Sequence, residues 1–109
     1  MTSQTDTLAI LHRCADIELV MADMYEFFTA AYRFNQDISR LFQTTAAEER
    51  SHEYQISLAM RTCTPSILEM KISADEAEKH LSFARMTLPK VRATVPDIAD
   101  ALKISIHCE

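Results

Sequence analysis

The chain has 109 residues, enough for one domain, with 48% hydrophobic and 25% charged residues and a formal net charge of −5. That acidic balance gives no electrostatic footprint for nucleic acid or an anionic membrane, and no apolar run approaches the roughly 18 residues needed to span a bilayer. Glycine is absent and proline occurs three times, so a β-rich fold would lack the usual residues of its tight turns, and the expectation is an all-α domain of a few long helices.

The N-terminal "MTSQTD" is polar and lacks a signal-peptide core. Cys14, Cys63 and Cys108 are an odd number with no Cys-x-x-Cys spacing, which suits reduced thiols and excludes a zinc-ribbon module within the chain. Both features lead to a cytoplasmic expectation.

The first helix is expected from about Ser3 or Thr5 to Tyr32. Leu8, Leu11, Ala15, Glu18, Ala22, Tyr25, Thr29 and Tyr32 alternate steps of three and four residues, the spacing of one continuous helix face. "RFNQDIS" reads as a turn, with Asn35 and Asp37 as candidate caps for the next helix. The second helix is expected from about Ile38 to Cys63, with Ile38, Phe42, Thr45, Glu49, His52, Ile56, Ala59 and Cys63 as its seam. Pro65 ends it.

A shorter helix is expected from Ser73, where Ser73 and Glu76 form a capping box. Ala77, Leu81, Ala84 and Leu88 are its seam, and Pro89 weakens or ends it. It reads as a connector. Thr94, Pro96 and Asp97 signal a last helix with Ile98, Leu102, Ser105 and Glu109 along its seam. The methionines, Met21 and Met24 among them, read as helix packing, and Glu76 with His80 as a solvated pair flanking the third seam.

Two of these seams carry charge. Glu18 lies on the first stripe, and Glu49 and His52 lie on the second, whereas Glu48, Arg50 and Ser51 lie off it. Buried charges in helix cores are paired or bind metal. Glu18 precedes Asn35 by as many residues as His52 follows it, so a hairpin turning there places Glu18 level with His52 and roughly one turn from Glu49. Glu49-x-x-His52 projects a carboxylate and an imidazole from one face. Carboxylate oxygen with imidazole nitrogen suits iron, manganese or zinc.

The residues that meet there resemble the ferritin-like di-iron carboxylate proteins, and the helical domain of rubrerythrin most of all. In that pattern two helices each give one glutamate and two others each give Glu-x-x-His. Glu18, followed by Tyr25 seven residues later and then by Phe28 of "EFFTAAY", looks like the family's first helix. "TAAEERSHE" looks like its second, and "DALKISIHCE" like the start of its third, with Glu109 at the lone glutamate. The resemblance implies metal ligation by Glu18, Glu49, His52 and Glu109, with Tyr25 holding a ligand carboxylate through its hydroxyl. It implies a di-iron cofactor and oxidation of iron, or redox chemistry with peroxide or oxygen.

The match covers a partial bundle, one incomplete domain over residues 1–109, because no fourth bundle helix follows. Completion by a second copy in a homodimer, or by further sequence, is therefore expected. The rubredoxin module that feeds electrons to rubrerythrin is absent, so an electron-donor protein would be a separate partner. The competing expectation is a non-catalytic helical dimerisation or docking module with a degenerate or incomplete metal site.

Overall fold

The structure, a computed structural model, describes residues 4–62 and 74–108, with side chains described for 8–61 and 75–106. Four helices account for nearly all of it: α1 (Gln4–Ala31), α2 (Gln36–Thr62), α3 (Ala74–Ala93) and α4 (Ile98–Cys108). At about 1.5 Å per residue, the 28-residue α1 sets the long dimension of a 49 × 22 × 18 Å molecule.

The α1–α2 turn forms where the sequence places it. Asn35 caps α2, its Oδ1 accepting from the Ile38 N–H at 3.2 Å. Ser39 Oγ donates back to the Thr29 carbonyl at 2.8 Å and fixes the antiparallel register of the hairpin. Inside the turn end, Tyr25, Phe28, Tyr32 and Phe42 form an aromatic core. Tyr25 stacks on Phe42 with centroids 5.9 Å apart, and Phe28 lies 5.0 Å from Phe42. Such pairs add about 0.5–1.5 kcal/mol beyond their area burial.

The third helix is more than a connector. It packs along α1, as α2 does, and among the described residues no other pair of helices packs to a comparable extent. Arg13 pairs with Glu78 near the start of α3. Tyr32 Oη donates to the Pro96 carbonyl just past its end, at 2.5 Å. α3 therefore runs in the same sense as α1. Its expected seam is its buried edge: Ala77, Leu81 and Ala84 are buried, as is Val91 two turns on.

Two sequence expectations need correction at this end. α3 does not stop at Pro89 but continues through it to Ala93. A proline removes one N–H, here the bond to the Arg85 carbonyl, and burial of Val91 on the next turn holds the helix past that gap. α4 begins near "TVPD" as expected, with Asp97 as its cap, accepting from the Asp100 N–H at 2.8 Å, but Pro96, expected in its first turn, precedes the helix. The deepest α4 residue is Ala101, fully buried, with Leu102 beside it only partly covered.

From Pro96, level with Tyr32, α4 runs back until Leu102, Ser105 and Ile106 face Tyr25 and Thr45. It thus shares the sense of α2. The proposed capping box at Ser73, the Pro65 stop, Cys63 and Glu109 lie outside the described residues. No described helix is long and apolar enough to cross a membrane.

Candidate metal centre

The α1 seam forms as the spacing predicts. Leu11, Ala15, Ala22, Tyr25 and Tyr32 are buried. Glu18 stands among them with its side chain 22% exposed. Glu49 of α2 is the one buried charged residue among those described, at 6%. His52, one turn on, reaches back across the hairpin, and its Nδ1 lies 3.5 Å from Glu18 Oε2. Glu18, Glu49 and His52 each place a donor atom within 4.8 Å of the other two, the arrangement that could hold a metal ion.

The spacing fits one ion. Two donors each about 2.1 Å from a common metal stand about 3.0 Å apart at right angles and about 4.2 Å apart in trans. The Glu18–His52 separation falls inside that range, and all three donors lie within 4.8 Å of one another. The chemistry fits as well. Two carboxylates drawn together out of water repel, and a cation between them offsets both that repulsion and the cost of burial.

His52 departs from the sequence expectation. Its side chain is 53% exposed, so it sits on the rim of the cluster and not in the bundle interior. The cause lies in α2, which among the described residues packs extensively on α1 alone. Its seam is buried at Phe42 and Glu49, with Thr45 partly covered and Ala46 beside it buried, and opens beyond Glu49, with Ile56 and Ala59 only partly covered. The centre thus has one closed side, formed by Glu49 and α1, and one side that faces solvent.

Tyr25 is 1% exposed and stacked on Phe42, two turns beyond Glu18 on the same face, so it belongs to the aromatic core. Glu109 lies outside the described residues. Cys14, one turn before Glu18, is a half-buried free thiol whose pKa is pushed above its usual value, first by burial and then by the Glu18 charge. Glu76 and His80 are both exposed on α3.

Sequence reading missed a clamp beside the centre. Arg50, next to Glu49, faces out as expected, yet its Nε donates to Glu26 Oε1 at 2.7 Å and its NH2 group to Asp23 Oδ1 at 3.3 Å. The guanidinium holds the Glu26 carboxyl below its usual range. Asp23 and Glu26 are three residues apart, so both can meet one arginine from α2. That spacing was the available signal. The clamp ties α1 to α2 next to the position that carries Glu49.

No protein-family model, curated protein or solved structure matches this chain.

Proposed function

We propose that the protein is a non-haem metal protein of the ferritin and rubrerythrin type, with Glu18, Glu49 and His52 as ligands to iron and Glu109 as a further one. The observation that carries this reading is the meeting of two carboxylates and an imidazole, from two helices, within 4.8 Å.

Iron bound there would supply electron transfer to oxygen or peroxide. The chain's own contribution is the coordination sphere and its surroundings. Glu49 is the anchored ligand, because its side chain is enclosed. His52 is the adjustable one, because its side chain is half in solvent and can swing to meet an ion arriving from that side. Tyr25 and Phe42 keep water from the turn-side flank. Manganese and zinc suit the same donors.

Elemental analysis after anaerobic Fe(II) loading tests the assignment. Wild type is expected to retain iron after desalting, and Glu49→Ala/His52→Ala to retain at least tenfold less. Equal, negligible retention by both would reject the assignment.

The second reading is a non-catalytic dimerisation or docking module whose metal site is incomplete. The half-exposed His52 favours it, since a centre with an open side is one that another chain can close. Sedimentation equilibrium separates the two. Under this second reading the chain self-associates equally with and without metal, and Glu49→Ala/His52→Ala leaves the association unchanged.

A further inference from the structure

A cup of about 310 Å³ opens between α2 and α4, lined by Tyr25, Leu41, Phe42, Thr45, Leu102, Ser105 and Ile106. Its floor is the Tyr25–Phe42 stack, two rings that are almost wholly buried. Its mouth is formed by Leu41 and Ile106, which are 49% and 77% exposed. The cup opens broadly to solvent at that mouth. It falls at the low end of ligand-pocket volumes, about 300–1,000 Å³.

The lining selects the occupant. No charged side chain contributes to it. Its two aliphatic hydroxyls are committed as donors: Thr45 Oγ1 to the Leu41 carbonyl and Ser105 Oγ to the Ala101 carbonyl, each at 2.8 Å. What they still offer is lone pairs. An anion would meet no positive charge there, and a cation no negative charge.

We propose that the cup binds a small neutral apolar molecule, an alkyl or aryl compound carrying at most a hydroxyl group. An apolar cavity of about 150 Å³ accommodates benzene, so the cup takes a ring with a substituent or a short alkyl chain. A ligand hydroxyl donates to the lone pairs of Thr45 or Ser105, and the apolar remainder covers Leu41 and Ile106. Thr45 stands one turn before Glu49 on α2, about 6 Å along the helix axis. The inference does not rest on the metal reading, and its test uses metal-free protein.

The test is a methyl-resolved NMR titration of the full chain with 1-hexanol and with benzyl alcohol, using hexanoate as the charged control. Saturable shifts confined to Leu41, Leu102 and Ile106 are expected, with a Kd of about 1 mM or tighter for such small ligands. Hexanoate is expected to bind at least tenfold more weakly. Ser105→Leu, which fills the cup, should weaken hexanol at least tenfold, and Leu41→Asn at the exposed mouth provides the same comparison if Ser105→Leu does not fold. The inference is overturned if wild type shows no saturable shifts, or if hexanoate binds as well as hexanol. It is equally overturned if the same methyls shift on concentrating the protein alone, because the occupant is then a second copy.

Discussion

Glu49 is the residue on which most depends. Its carboxylate is buried beside a second carboxylate, and the protein keeps it there instead of an apolar side chain that would pack as well. Glu49→Gln keeps the shape and removes the charge. It is expected to fold as well as wild type without metal and to lose the metal-induced gain in stability. That gain is about 2.7 kcal/mol for wild type at a free metal concentration a hundredfold above Kd, read as a rise in melting temperature. Tyr32 makes a second residue-scale prediction. Its Oη–Pro96 bond joins the end of α1 to the α3–α4 turn, so Tyr32→Phe should cost about 1 kcal/mol in chemical denaturation. Burial, then the charges of Asp97 and Asp100, push the Tyr32 hydroxyl above its usual value of 10.0. A group whose folded pKa is raised binds its proton more tightly when folded. Its contribution is therefore complete below pH 10 and declines as pH rises through the folded pKa, and the Phe variant should lack that alkaline component.

At the scale of elements, the seam counts recovered one face of each helix and missed the second face of α1. Leu11, Ala15, Ala22, Tyr25 and Tyr32 were legible because one stripe predicts one neighbour. Ile10 and Phe28 are buried as well, beside Met21 and Met24, whose packing role was legible, because α1 packs along both α2 and α3, and spacing within a helix does not reveal how many neighbours it has. The same blindness placed His52 too deep. Glu49 and His52 share a stripe, but among the described residues α2 packs extensively on α1 alone and its stripe is covered only part of the way. Local chemistry likewise suggested a helix end at Pro89 that burial of Val91 overrides. Pro89→Ala should therefore stabilise the protein, restoring the bond to the Arg85 carbonyl, by about 1–3 kcal/mol in urea titration. The Arg50 clamp is exposed and belongs with ion pairs of up to about 1 kcal/mol. Because Arg50 depresses the Glu26 pKa below 4.5, the clamp holds above that value and is lost as pH falls through the folded pKa. Arg50→Ala should move the Glu26 carboxyl back up in an NMR titration.

At the scale of the molecule, a long central helix carries one helix along each side, and α4 crosses back over the turn end toward the centre. This arrangement encloses Glu49 and leaves His52 accessible, which is the order expected of a site that is preformed at one ligand and completed at another. The all-α class, the hairpin register and the three converging side chains were readable from residue spacing alone, since each follows from helical periodicity and one turn. The cup between α2 and α4 was not, because it depends on where α4 lands. The most direct test of a Glu18–Glu49–His52 centre is anomalous scattering at the iron edge from crystals soaked anaerobically in Fe(II). One peak is expected about 2.0–2.5 Å from a carboxylate oxygen of Glu18, a carboxylate oxygen of Glu49 and a ring nitrogen of His52. Iron bound elsewhere, with these three side chains uncoordinated, would contradict it.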